Sequence, residues 1–441
     1  MRVFAVLAFV CVFGSPLLAE DDWPAFLGGT QRQTATGPVP LEWSPEQNIR
    51  WQTPLPGHGQ SSPVVVDGQV YLTAVEGPNK ETNLVICLEL AGGEPLWQHS
   101  SASSLPVKND TYTSRAAPTP VADADGVYAF FESGNLVAVD PEGEVRWQRD
   151  LLADYGRYEG RFGLGASLAQ TDDRVFVLAD NEGPSYLLAL EKSTGETLWK
   201  TDRTSRVSWS SPMILNVAGE PQIVVSSAGS VDGYDPRDGR QLWTLGDVGG
   251  NTVASPVPFG EGRFLVGASA GRNGENSEGA RRSNMAVAVE PDGDGYRAEV
   301  LWRNEKASSS FGSPIAHRGL AYYTNRAGVL FCLDAKTGKP QYTVRLQSNW
   351  ATPLAVEDRV YVFGKNGETT VLAAGPKKQV LAVNDLRKSG DQAAEDGNEA
   401  AGRFAGETLY GVALTAHGVL VRTGERLFLL GKETRSAVPS Q

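Results

Sequence analysis

The stretch Asp235-Pro236-Arg237-Asp238-Gly239-Arg240-Gln241-Leu242-Trp243 decides the fold once it is set beside Glu191-Lys192-Ser193-Thr194-Gly195-Glu196-Thr197-Leu198-Trp199. An acid is followed four residues on by glycine, and that glycine four residues on by tryptophan. The spacing returns as Glu89…Gly93…Trp97 and Asp334…Gly338…Tyr342, and one residue shorter as Asp140…Gly143…Trp147. Before Trp302 it is looser, with Gly293 and Gly295 further from the aromatic. From Trp51 the tryptophans stand 46, 50, 52, 44 and 59 residues apart, a period near fifty. A fixed period of this length marks a repeat architecture.

Each unit also opens alike. Ser62-Pro63, Ala117-Pro118, Ser211-Pro212, Ser255-Pro256, Ser313-Pro314 and Thr352-Pro353 each precede an apolar strand, with Ser167-Leu168 and Val412-Ala413 in the same role. A turn such as Asp67-Gly68, an alternating strand such as Val70-Tyr71-Leu72, a third strand, the acid-glycine turn and the tryptophan strand follow. Four short antiparallel strands per unit predict an all-β fold, the β-propeller. Eight openings predict eight blades. The last unit runs out after three strands, whereas Asn48–Gln52, with Trp51, is a fourth strand without a unit. Pairing the two closes the ring and removes two exposed sheet edges. The expected organisation is a signal peptide at 1–19, a lead-in at 20–47, one propeller domain at 48–432 and a tail at 433–441. The recurrent aromatics Trp51, Trp97, Trp147, Trp199, Trp243, Trp302 and Tyr342 are assigned to packing between blades.

Arg2, the apolar run Val3–Phe13, the breaker Gly14-Ser15-Pro16 and the small Ala19 read as a secretory signal cleaved near Ala19. The run is shorter than the ~20 residues that span a bilayer, and no other segment is a transmembrane candidate. Cys11 follows Val10 rather than a small residue, so it is not read as a lipid-attachment cysteine. A secreted or periplasmic, monomeric protein is expected. Cys87 and Cys332 occupy equivalent positions in non-adjacent repeats, so two buried thiols are expected rather than a bridge, which needs Cα atoms within ~7 Å. Lys and Arg number 40 against 52 Asp and Glu, a net charge of −12, which speaks against a nucleic-acid partner. His58, His99, His317 and His417 are scattered singly, and no Cys/His metal spacing exists.

The repeated acid-glycine-tryptophan unit resembles the tryptophan-docking repeat of the pyrroloquinoline-quinone (PQQ)-like propeller family. The lead-in Asp22-Trp23-Pro24-Ala25-Phe26-Leu27-Gly28-Gly29 and the run Trp51–Gly57 resemble its secreted members. The resemblance implies one of two classes: quinoprotein dehydrogenases that oxidise alcohols or sugars with PQQ and Ca²⁺, or non-catalytic propellers, among them the scaffold lipoprotein of outer-membrane protein assembly. A shared repeat does not transfer chemistry. The vicinal cysteine pair of the alcohol dehydrogenases is absent, since the two mature cysteines are 245 residues apart. No Glu/Asn/Asp set stands at the blade openings to hold calcium. A non-catalytic binding or scaffold propeller without cofactor or metal is therefore expected, with a protein or carbohydrate partner. A PQQ/Ca²⁺-dependent dehydrogenase is the alternative.

Three residues before each opening proline position stand Gln60, Arg115, Gly165, Trp209, Val253, Phe311, Trp350 and Tyr410. These should ring one mouth of the central channel. Trp209, Phe311, Trp350, Tyr410 and Arg115 are the ligand-binding candidates, a platform for a planar ring, a sugar or a peptide. Packing as a plug of the funnel is the commoner role of such aromatics and is weighted above ligand contact. Asp292-Gly293-Asp294-Gly295 reads as a polar turn rather than a calcium loop, and Gly271–Ser283 and Lys388–Arg403 read as solvated loops.

Overall fold

The computed structural model describes residues 22–29, 38–110, 113–271, 273–386 and 408–432. The expected signal peptide, the 388–403 loop and the 433–441 tail lie outside these residues. Within them, thirty-two strands form eight four-stranded antiparallel sheets. Blade 1 is typical. Its inner strand Val64–Val66 is buried throughout, Gln69–Glu76 and Thr82–Glu89 are buried along their length, and the outer strand Pro95–Ala102 alternates between exposed and half-buried residues. Central strands covered on both faces by neighbouring blades read as continuous apolar runs, and the rim strand shows one face to water.

The ring closes as the chain's two ends require. Ile49–Pro54 pairs antiparallel with Arg426–Leu430, Thr53 opposite Leu427, and so completes the blade made by Gly411–Thr415, Gly418–Arg422 and Arg426–Leu430. Arg422 adds a second closure. It is fully buried and donates to the Ser61 carbonyl at 3.0 Å, to Ser61 Oγ and to the Thr73 carbonyl at 2.6 Å, all on blade 1.

The recurrent tryptophans sit between blades. The indole N–H of Trp51, Trp97, Trp147, Trp199 and Trp302 donates to the carbonyl of Leu90, Pro141, Lys192, Pro236 and Ala335, respectively, in the turn of the next blade. The turn glycine lies against the indole face: a Cβ on Gly195, at φ +73°, would stand 2.6 Å from Trp147 Cδ2. Trp243 departs from this, bonding to Gln222 Oε1 of its own blade at 2.6 Å and stacking on Phe264. Blade 5 has a two-residue hairpin, Gly293-Asp294, where blades 1 to 4 and 6 have the acid-glycine turn.

At the channel wall the blades are tied by hydroxyls. The backbone N–H of Ser62 donates to Thr119 Oγ1, that of Thr119 to Ser167, and so on through Ser211, Ser255, Ser313 and Thr352, at 2.8–3.1 Å. Blade 8 has Gly411 at this position, because a Cβ there would collide with Ser62 Oγ. This belt corrects two registers. In blade 2 the opening pair is Thr119-Pro120, not Ala117-Pro118: Val121 pairs with Tyr128 as Val64 pairs with Tyr71. In blade 8 it is Gly411-Val412, one residue earlier than Val412-Ala413, since Ala413 pairs with Leu420.

The lead-in is part of the fold. Trp23 forms a bridge to Val65, the Pro24 carbonyl accepts from Ala122 N–H at 2.9 Å, and Asp22 accepts from the N–H of Asp67. Trp43 stacks on Tyr361 of blade 7, and its backbone N–H donates to Asn384 Oδ1. Within 271–283 the expected loop contains a short helix, Ser277–Arg282, with Ala280 buried. Cys87 and Cys332 are buried and unbridged.

Candidate functional site: the channel and its mouth

The inner strands of all blades run from the mouth toward the opposite face, and their convergence leaves a channel of about 1440 Å³. Its far end is crossed by the lead-in, with Trp23, Phe26 and Leu27 in the wall. The hydroxyl belt from Ser62 to Thr352 lines the middle, and aromatics line the mouth.

Phe311, Trp350 and Tyr410, from blades 6 to 8, form a continuous arc with ring centroids 5.0 and 5.7 Å apart. Phe311 is 41% exposed, and Trp350 and Tyr410 are half-buried. Lys365 Nζ stands 4.2 Å from the centre of the Trp350 ring. Across the ring, Trp209 of blade 4 donates its indole N–H to the Gly163 carbonyl at 2.7 Å and meets exposed Phe162 edge-on. Gly165 at the neighbouring rim position makes room for it, since a Cβ there would stand 3.0 Å from Trp209 Cδ1.

Arg115 lies elsewhere than its sequence position suggests. With blade 2 opening at Thr119-Pro120, the rim position is Ala117, which lines the channel; Arg115 is outside the lining. It sits behind the rim, exchanging hydrogen bonds with Gln60 and donating Nη2 to the Tyr410 hydroxyl at 3.4 Å. Tyr410 does line the mouth, although in register it matches Ser61 rather than Gln60. Trp209, Phe311, Trp350 and Tyr410 are thus brought together around one cavity, and Arg115 supports it from behind.

The electrostatics of the lining are one-sided. Among the described residues its charged members are Arg326 and Lys365; no Asp or Glu lines it. Behind Tyr410 stand two further cations, Arg115 and Arg422. Burial lowers the Arg422 guanidinium to about 9, which leaves it charged at neutral pH. Against them His58 packs edge-on to Tyr410, and burial, reinforced by Arg115 and Arg422, pushes its imidazole down to about 3. His58 is therefore neutral at physiological pH.

These residues do not suit the calcium that a quinoprotein would bring. Ca²⁺ takes about six to eight oxygen ligands, carboxylates among them. The lining offers hydroxyls that already accept backbone N–H groups, and no carboxylate. Nor do three His, Cys, Asp or Glu side chains converge elsewhere among the described residues.

Several wall residues carry no warning in the sequence: Phe162, Arg326 and Lys365 lie in connections outside the repeat pattern, and Trp23, Phe26 and Leu27 precede it. The belt did leave a signal, a recurrent Ser or Thr before proline.

Comparison with known proteins agrees with this architecture. The family model PQQ_2, described as outer membrane protein assembly factor BamB, matches residues 41–163, 154–292 and 282–391. The chain is 25% identical over 216 residues to the outer membrane protein assembly factor BamB of Alkalilimnicola ehrlichii, 48% of this chain and 49% of that protein. To the same factor of Salmonella typhimurium it is 26% identical over 183 residues, 41% of each chain. The match thus spans half the length of these relatives or less. Among solved structures, BamB from Moraxella catarrhalis has a TM-score of 0.60 at 12% identity, covering 86% of this chain and 99% of its own. Quinohemoprotein alcohol dehydrogenase from Comamonas testosteroni also gives 0.60 at 12% identity, covering 96% and 83%. At such identity the likeness concerns the fold alone.

Proposed function

The chain belongs to the PQQ_2 family described as outer membrane protein assembly factor BamB, and from that premise we propose that it is a non-catalytic binding propeller working outside the cytoplasm. In this reading a signal peptide over 1–19 is removed near Ala19, and residues 48–432 act as one monomeric domain with the lead-in docked on it. The working surface is the channel mouth, with Trp209, Phe311, Trp350 and Tyr410 as contact residues and Arg115 holding Tyr410 in place. The partner, a protein segment or a carbohydrate, engages the mouth and its loops. No helix among the described residues is long and apolar enough to cross a membrane.

The observation that carries this reading is the composition of the lining. Aromatics, hydroxyls, amides and small residues surround the cavity together with Arg326 and Lys365, and among the described residues no carboxylate or imidazole lines it. Such a wall supports recognition rather than general acid–base chemistry. The test is a calorimetric titration of the mature protein with PQQ, with and without Ca²⁺. The expected result is no calcium-dependent heat. Calcium-dependent binding at micromolar concentration or below would overturn the reading and make the dehydrogenase the working model.

A further inference from the structure

In the belt from Ser62 to Thr352 one amide N–H occupies a single lone pair on each of the hydroxyls of Thr119, Ser167, Ser211, Ser255, Ser313 and Thr352. A hydroxyl has one donor and two acceptor sites, so each of these six retains its O–H proton and one lone pair, and no acceptor for that proton is found among the described residues. All are more than nine-tenths buried and line the channel. Ser114, 7% exposed and in the same wall, has a hydroxyl with no partner among the described residues. A buried donor left unpaired is costly, so the belt favours a ligand that brings acceptors to it.

Charge points the same way. The chain carries a net charge of −12, yet the lining holds two cations and no carboxylate. Arg422, buried behind Tyr410, makes its hydrogen bonds to blade 1 backbone and a serine rather than to an acid. The mouth, finally, presents aromatic faces at Phe311 and Trp350, tilted 44° to one another.

We propose that the channel binds an acidic sugar, a pyranose whose apolar face stacks at the Phe311–Trp350–Tyr410 arc and whose carboxylate and ring oxygens accept from the hydroxyl belt, with Lys365 and Arg326 balancing its charge. A flat aromatic acid with few acceptors would leave most of the belt unpaired, whereas a sugar distributes oxygens around its whole edge. A volume of about 1440 Å³ exceeds the ~300–1,000 Å³ usual for a small-molecule site, which leaves room for a short oligosaccharide. The inference rests on the mouth being the working surface and deepens it by naming the ligand.

The test uses the full mature chain and three probes: trigalacturonate, the neutral maltotriose, and PQQ without calcium, followed by calorimetry and tryptophan fluorescence. Trigalacturonate should bind, and Trp350→Ala or Lys365→Gln should each weaken it by roughly tenfold or more, while Trp350→Phe stays close to wild type. Raising the salt should weaken it as well. A thermal melt of each variant separates loss of binding from loss of fold. Equal affinity for maltotriose overturns the acidic preference and leaves the mouth a binding platform. Binding of PQQ alone, or of none of the three, overturns the proposal outright, while the non-catalytic reading stands or falls by the separate calcium-dependent titration.

Discussion

Gly195 shows how one residue type is dictated by its neighbour. Its φ of +73° favours glycine, and its missing Cβ lets the Trp147 indole lie flat on the turn. Gly195→Ala should destabilise the protein by about 2–4 kcal/mol, from backbone strain and overpacking together, read as a shifted midpoint in urea. His58 makes a pH-dependent contribution. Its imidazole is held near 3 instead of the usual 6.5, so between these values the unfolded chain binds more protons than the folded one. Stability is full above pH 6.5 and falls as the pH drops toward 3. His58→Gln should flatten this slope in denaturation midpoints taken across pH 3–7; an unchanged slope would assign the acid sensitivity to other groups. At this scale the tryptophans, the turn glycines and the positions of Trp209, Phe311 and Trp350 were legible because each stands at a fixed offset in its unit, whereas Tyr410 is one residue out of that register. Arg115 was misplaced because Ala117-Pro118-Thr119-Pro120 offers two opening pairs. Counting back from the turn to the strand, not forward from the first proline, selects the second.

At the scale of elements, closure of the ring is the feature with most consequence. Blade 8 takes its outer strand from residues 49–54, more than 370 residues from its partner strand 426–430. Deleting residues 20–55 removes that strand together with the lead-in that bridges to Val65. The melting temperature should fall by roughly 10 °C or more, and a melt like that of the intact chain would refute the closure. The strand was legible because an unpaired fourth strand and an incomplete last blade need each other. The docking of the lead-in was not. Phe26–Gly28 is a short 3-10 turn with no periodicity, and its place across the channel follows from inner strands that only the assembled ring brings near it.

For the whole molecule, a surface that is acidic on balance surrounds a channel lined by cations and hydroxyl donors. That contrast is a property of the assembled ring. What the sequence by itself determined is the all-β class, the number of blades, their strand order and the pairing of the two chain ends. These follow from patterns within some fifty residues and from the need to leave no open sheet edge. Only the tertiary structure decided the register at blades 2 and 8, the hydroxyl belt, the place of the lead-in in the channel wall and the charge of that wall. The physical reason is distance along the chain: Ser62 bonds to Thr119 57 residues away, and Trp43 to Asn384 341 residues away. Contacts of that kind leave no local period, and they exist only once eight blades have converged on one axis.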